Sequence, residues 1–544
     1  MLAVNLTHLK LDLLARPILT QVDWEIHADR CVGLIGANGA GKSSILNLIA
    51  GELTPDGGSI TRAKGLTIGY LAQEPQLDPA RTALAEALSA HTELHTLEAA
   101  LHQIEARLGD PAVYGNDRAL SRALDQQHHL LEKYEALGGA SYEPRVRETL
   151  RGLGLDDAGF ALPCAALSGG QKKLVGLAKL LITQPDLLLL DEPDNHLDLA
   201  GKAFLERTIN AYHGAVVIVS HDRYLLDHVV DEIAELEAGQ INVSSGSYSE
   251  YAYEKQMRLA RAQQLYDVQQ REMGRLRAAA NQLLIWGRQY DNEKFIKRGK
   301  AILGRLEKID PLERPVLEPK RMGLQINGWR GSRKALEIKQ LAKSFANDTL
   351  FKQLDLLIRH GERVGLVGPN GAGKSVLLKI VLGELEADRG EVIIGPSVTI
   401  GYYAQQHETL AHSQTLIEVI RHAKLCSEGD AVAFLRKFLF TYEQARQRIG
   451  DLSGGERSRL QLALLMLSGA NCLLLDEPTN NLDIASAEAL ENALANFEGT
   501  VLCVSHDRYF LDRIATRIVE LDAGRTTEFA GNYSDYAGKP RRAG

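Results

Sequence analysis

Residues 36–44 read Gly-Ala-Asn-Gly-Ala-Gly-Lys-Ser-Ser, and residues 368–376 read Gly-Pro-Asn-Gly-Ala-Gly-Lys-Ser-Val. The first copy follows an apolar run, CVGLIG, and opens a run of helical spacing, SILNLIAG. Strand, G-x-x-x-x-G-K-S and helix in that order make a phosphate-binding loop. Its glycines turn backbone N–H groups toward phosphate at a helix N-terminus, its lysine places a charge near the β and γ oxygens, and its serine offers a hydroxyl to Mg²⁺. The candidate phosphate contacts are therefore Gly36, Asn38, Gly39, Gly41, Lys42, Ser43 and Ser44, with Gly368, Asn370, Gly371, Gly373, Lys374, Ser375 and Val376 in the second copy. A glycine-rich turn with nothing bound is the bland alternative. The duplication in register with four other shared motifs argues against it.

IGYLAQ ending at Gln73 recurs as IGYYAQ ending at Gln405, at the same offset of 332 as the loops. Three later motifs recur at 285: LSGGQKK with LSGGERS (Ser168, Ser453), LLLDEPDNHLD with LLLDEPTNNLD (Asp191, Asp476), and VSHDRYLLD with VSHDRYFLD (His221, His506). The first copy thus carries 47 extra residues between Gln73 and Ser168. The expected organisation is a first domain at 1–246 with an inserted arm at about 91–140, a linker at 247–332, a second domain at 333–538 and a tail at 539–544. In the arm, Leu94, Leu97, Leu101, Ile104 and Leu108, then Leu120, Leu124, Gln127, Leu131 and Tyr134, predict a helical hairpin turning at Gly109–Asp117. Residues 92–140 hold 4 basic against 8 acidic side chains, which disfavours phosphate backbones.

The 544 residues carry a net charge of −8, but residues 251–330 hold 17 Lys and Arg against 9 Asp and Glu. Ala262, Tyr266, Gln269, Met273, Leu276, Ala280 and Leu283, and after a break at Trp286–Asn292 Phe295, Gly299, Ile302, Leu306 and Ile309, step by 4 and 3. They predict an antiparallel helix pair, the first running from about Tyr251 to Ile285, on the order of 50 Å. A solvated, charged spacer is the alternative. No run approaches the roughly 20 apolar residues of a spanning helix, and the N-terminus lacks the pattern of a secretory signal. The five cysteines are odd in number with no C-x-x-C, which excludes a disulfide framework and a zinc ribbon, so a cytoplasmic protein is expected.

LLLLDE and LLLDE read as strands buried on both faces whose ends deliver two acids to a ligand crevice. Asp191 and Asp476 would hold Mg²⁺ through water, and Glu192 and Glu477 would orient the attacking water, since phosphoryl transfer asks mainly for positioning and charge neutralisation. An acid pair capping a helix is the simpler alternative, disfavoured beside a phosphate loop.

Together these motifs resemble the ATP-binding cassette proteins, whose LSGGQ signature, Q-loop glutamine, D-loop and switch histidine occur here twice. The resemblance implies two doubly wound α/β cassettes closing on two Mg-ATP, each site joining the loop of one domain to the signature of the other. Ser168 and Gly170 would face ATP on Lys374, and Ser453 and Gly455 would face ATP on Lys42. Gln73 and Gln405 would sense Mg²⁺ and the γ-phosphate, and His221 and His506 would contact that phosphate. Two cassettes in one chain, an arm, a basic helical linker and no membrane part look like the ABC-F subfamily, whose members act on ribosomes with the linker near the peptidyl-tRNA. That likeness implies ATP hydrolysis, with Lys294, Lys297, Arg298, Lys300 and Arg305 on RNA phosphates; Trp286 and Tyr290 near the hairpin tip would stack on bases or pack between the helices, and a monomer is expected because both halves of each composite site lie in one chain. A transporter's ATPase subunit and a DNA-associated ATPase are the competing readings. Two departures stand out. Phe345 occupies the place of the adenine-stacking aromatic, but its counterpart is Leu13, and Asp194 stands where the second copy has Thr479.

Overall fold

A computed structural model of the chain describes residues 1–13, 16–72, 75–308, 332–345, 348–404, 410, 412–480 and 482–538. It divides into two compact units, Met1–Ser247 with Met322–Gly544, and Tyr248–Arg321.

The larger unit contains the same architecture twice. In the first copy, five parallel strands and one antiparallel edge strand run in the order Ile68–Leu71, Leu187–Asp191, Ala215–Val219, Cys31–Ile35, Glu232–Glu237 and Gln240–Ser245. The second copy repeats that order with Ile400–Tyr403, Cys472–Asp476, Thr500–Val504, Arg363–Val367, Arg517–Asp522 and Arg525–Ala530. Leu187–Asp191 and Ala215–Val219 are buried at every residue, which explains runs without polar alternation: helices cover both faces of a parallel sheet. A three-stranded antiparallel sheet, Leu2–Leu13, Arg16–His27 and Gly57–Arg62, flanks the first copy, and Lys334–Phe345, Asp348–Arg359 and Arg389–Ile394 flank the second. These sheets add an antiparallel layer to the doubly wound α/β fold expected.

The arm comprises helices Thr92–Leu108 and Asp117–Ala136, with a short helix, Pro111–Tyr114, inside the turn. Its second stripe needs correcting by one position. Ala123 is buried and Leu130 half-buried, whereas Leu124 and Leu131 are 48% and 39% exposed. A step of 4 then 3 from Leu120 chose the wrong edge of the inward face, which runs 120, 123, 127, 130, 134, with Ala123 buried on it.

The smaller unit is an antiparallel pair, Tyr248–Gln289 and Glu293–Leu306. Every residue of the expected stripe from Ala262 to Leu283 is at least half-buried, and Gly299 is the point of close approach, where a Cβ would fall 3.0 Å from the Ala280 carbonyl oxygen. The first helix is longer than expected and carries Trp286 within it, so the break shrinks to residues 290–292. Ile309 and the tail 539–544 lie outside the described residues.

Candidate functional site

Each phosphate loop ends in a glycine that a larger residue could not replace. Gly41 has φ 105° and Gly373 φ 96°, left-handed values that disfavour side chains, and a Cβ would meet Ile18 at 2.5 Å in one loop and Leu350 at 2.0 Å in the other. Helices Lys42–Ala50 and Lys374–Leu382 begin directly after them, with no side-chain cap on their first amides. Uncapped N–H groups at a helix start form an anion site. Lys42 Nζ donates to the carbonyls of Gly36 (2.9 Å) and Ala37 (3.1 Å), and Lys374 Nζ to those of Gly368 (2.8 Å) and Pro369 (2.9 Å), which holds both ammonium groups at the loop mouth.

The two buried strands deliver Asp191 and Asp476 at their last residue. Glu192 and Glu477 follow with left-handed backbone, φ 51° and 48°, a conformation that costs a non-glycine residue on the order of 1 kcal/mol and clusters at functional sites. Burial pushes Glu192 above its ordinary value, helped by Asp191 and Asp194, and pushes Glu477 up to about 7 against the attraction of Lys374. The two glutamates are held differently. Asn195 Nδ2 donates to Glu192 at 2.7 Å, whereas the main-chain N–H of His506 donates to Glu477 at 3.2 Å. His221 Nε2 lies 3.6 Å from Glu192 and His506 Nε2 3.5 Å from Glu477. Burial, with Lys42 nearby, lowers His221 to about 3, and burial with Lys374 and Lys202 lowers His506 well below its ordinary value, so both rings are neutral at neutral pH.

The signature serines cap helices. Ser168 and Gln171 exchange reciprocal bonds at the start of Gly169–Thr183, and Ser453 and Glu456 do the same at Gly454–Leu467. LSGGQ is thus also a capping box.

The two copies face each other head to tail. Asn370 of the second loop donates its N–H to Asp198 (3.2 Å) and its side-chain amide to the His196 carbonyl (2.8 Å), and Asn38 of the first loop donates to Asp483 (3.4 Å). A cavity of about 410 Å³ is lined by Asn370, Lys374, Ser375, Glu477 and His506 of the second copy and by Asn195 and His196 of the first, with Phe345 on its wall. A wider cleft of about 1380 Å³ joins Ser168 and Gly170 to Asn370 and Gly371, and on its other side reaches Ser43, Asp191 and Glu192. The structure therefore brings the first signature to the second loop. At the first loop the contact from the opposite copy is Asp483, while Ser453 and Gly455 are placed at the head of their helix. Gln73, Gln405 and the Leu13 side chain lie outside the described residues.

Both Asp191 carboxylate oxygens are buried without a well-formed hydrogen bond, beside the Ser43 hydroxyl. One carboxylate and one hydroxyl fit a hard divalent cation that takes its remaining oxygens from phosphate and water. In the linker, Lys294, Lys297, Arg298, Lys300 and Arg305 are all exposed, Tyr290 is exposed, and Trp286 is 43% exposed with its ring edge-on to Phe295 at 6.5 Å.

Sequence reasoning missed the residues that join the copies. Arg223 pairs with Glu491 and Arg508 with Glu206, two buried ion pairs related by the 285-residue offset, and each arginine lies over a tyrosine of the opposite copy, Tyr509 at 5.2 Å and Tyr224 at 4.1 Å. Lys202 was missed as well; its ammonium donates to Asp222 (2.8 Å) and to the His506 carbonyl (3.0 Å) of the other copy. The offset offered the signal: Asp194 and Lys202 both change, to Thr479 and Ala487.

Two family models, both described as ABC transporter, match the chain, one at residues 19–195 and 351–480 and the other at 234–325. The chain is 36% identical to the energy-dependent translational throttle protein EttA of Escherichia coli (strain K12), over 96% of this chain and 92% of that protein. It is 33% identical to ABC transporter F family member 5 of Arabidopsis thaliana, over 96% and 75%. Among solved structures, the complex of archaeal ribosomal stalk protein aP1 and archaeal ribosome recycling factor aABCE1 shares the fold, with a TM-score of 0.55 at 18% identity, covering 94% of this chain and 88% of that one. No helix among the described residues is long and apolar enough to cross a membrane.

Proposed function

The chain belongs to the ATP-binding cassette family, in its F branch, and hydrolyses ATP; from that premise we propose that it is a cytoplasmic, monomeric translation factor that engages the ribosome through its linker, near the peptidyl-tRNA. The observation that carries this reading is the run of five exposed cations on Glu293–Leu306, on a hairpin whose apolar stripe is already used between its own helices. Those cations suit RNA phosphates. The relative named a translational throttle protein supports the same reading.

ATP would lie on the loops of Lys42 and Lys374, its phosphates on the uncapped helix starts. Ser43 with Asp191, and Ser375 with Asp476, would hold Mg²⁺, with Gln73 and Gln405 completing each set; the ion supplies neutralisation of the β and γ oxygens. Glu192 and Glu477 orient the attacking water and accept its proton, and the neutral His221 and His506 rings donate a hydrogen bond to the γ-phosphate. The signature residues Ser168 and Gly170, and Ser453 and Gly455, bind each nucleotide from the opposite cassette, so ATP favours the closed pair and hydrolysis releases it. Phe345 stacks on adenine at the second site.

The test is the Glu192→Gln, Glu477→Gln double variant, which binds ATP without turnover. It should cosediment stoichiometrically with ribosomes in ATP and be released in ADP. Cosedimentation no better than wild type overturns the coupling, and equal retention on duplex DNA or on membranes favours the competing readings.

A further inference from the structure

The two catalytic centres are not equivalent, and the difference turns on a lysine outside every motif. In the first cassette, Ser220 Oγ donates to Asp194 (2.8 Å) and accepts from the Asp222 amide (2.9 Å), and Lys202 Nζ donates to Asp222. Asp194, Lys202 and Asp222 are all more than nine-tenths buried. Burial opposes the charge on Lys202, but Asp222 and Asp194 outweigh it and hold the ammonium above its ordinary value. The desolvated ammonium, paired with Asp222, makes a second, charge-assisted bond across the interface to the His506 carbonyl. The same residue's N–H is the group that holds Glu477. One residue, His506, is therefore pinned through its carbonyl by the first cassette while its amide pins the hydrolytic carboxylate of the second. At the pseudo-symmetric position stands Ala487, with Thr479 in place of Asp194, and the Ala487 side chain has no donor to offer His221.

We propose that Lys202, held by Asp222 with the charge of Asp194 nearby, is a positioning residue for the second ATP site: it fixes His506, and through it Glu477, from the opposite cassette. The hydrolytic carboxylate of the second site is thereby fixed from the opposite cassette, whereas Glu192 is held by Asn195 of its own. This rests on Glu477 being the residue that orients water, and on nothing about the ribosome.

Lys202→Met alone would remove the ion-pair partner of the buried Asp222 and could fail to fold. The informative variant is Asp194→Thr, Lys202→Ala, which transplants the pair the second cassette already tolerates. In a Glu192→Gln background only the second site turns over. There the double substitution should lower kcat about tenfold, the loss typical of a positioning contact, with KM changed less than twofold. In nucleotide-free protein, amide hydrogen exchange across residues 505–510 should accelerate at least tenfold, while exchange in the strand Cys472–Asp476 stays unchanged. A kcat within twofold of the background, or unchanged exchange at 505–510, overturns the proposal. If Glu192→Gln, Glu477→Gln retains turnover, the assignment of Glu477 fails instead, and the exchange measurement still decides whether Lys202 holds the His506 segment.

Discussion

The ion pair Arg223–Glu491 offers a prediction whose size follows from exposure alone. Glu491 is 1% exposed and Arg223 8%, and a second arginine, Arg513, reaches the same carboxylate at 3.0 Å while remaining 45% exposed. Glu491→Met leaves the buried Arg223 only the more distant Glu488, at 3.9 Å, and breaking a buried pair from one side costs about 3 kcal/mol at the low end. Arg223→Met leaves Glu491 still bonded by Arg513, so the cost is that of one charge-assisted bond, about 1.5–3 kcal/mol. Removing both partners eliminates the buried cation, so the double variant should be more stable than Glu491→Met and far from the sum of the singles. Urea unfolding followed by circular dichroism, with fluorescence of the buried Trp24 in a Trp286→Phe, Trp329→Phe background reporting the first cassette, measures this. At about 3 kcal/mol per molar, Glu491→Met lowers the midpoint by about 1 M or more. Glu206→Met, acting on Arg508 in the related pair, should behave alike, since that arginine is 5% exposed. Additive single and double effects, or equal costs for Glu491→Met and Arg223→Met, would show that the pair is not buried in solution and refute the reasoning.

Asp483 is held below its ordinary 3.8 because hydrogen bonds from the Ser486 side chain and from the Ser486 and Asn38 amides, aided by nearby His221, outweigh its burial. A depressed carboxylate stabilises the fold above its unfolded value of about 3.9 and ceases to do so as pH falls through its folded value; the stability difference between wild type and Asp483→Asn should therefore be full at pH 7 and vanish on acidification below about 3.9. Replacing Lys294, Lys297, Arg298, Lys300 and Arg305 by alanine should weaken ribosome binding and flatten the slope of log K against log salt by about 0.7–0.9 for each phosphate left unneutralised, read from pelleting across a salt series. Burial pushes the Cys472 thiol up to about 12 and holds Cys31, Cys164 and Cys503 above their ordinary value, so an aromatic disulfide at pH 8 should titrate one thiol quickly, Cys426, and all five only after denaturation.

What could be read from the sequence, and what could not, divides along a physical line. The loops, the acid-ended strands and the capping-box signature are local: a few consecutive residues specify turn, strand end or helix start, and the spacing alone places Lys42, Asp191 and Ser168. The antiparallel flanking sheets are not local. Leu2–Leu13 finds its partner at Gly57–Arg62 across the phosphate loop, and no short period announces such a pairing. The arm's second stripe failed by one residue for a related reason: two apolar positions one step apart are equally periodic, and only the opposing helix decides that Ala123 faces inward. Hardest to see were Arg223, Arg508 and Lys202, which look like ordinary surface charges until the opposite copy covers them. Yet duplication left a trace, because a sequence compared with itself shows where the halves diverge together. Asp194 with Lys202 against Thr479 with Ala487 is such a joint change. Adding an acid alone would bury an unpaired charge, and adding the lysine alone would leave a cation with one carboxylate fewer, so each substitution is tolerable chiefly in the presence of the other. Self-comparison of a duplicated chain can therefore point to buried residues that neither half reveals, and here it points to Lys202, whose ammonium reaches the His506 carbonyl of the opposite copy.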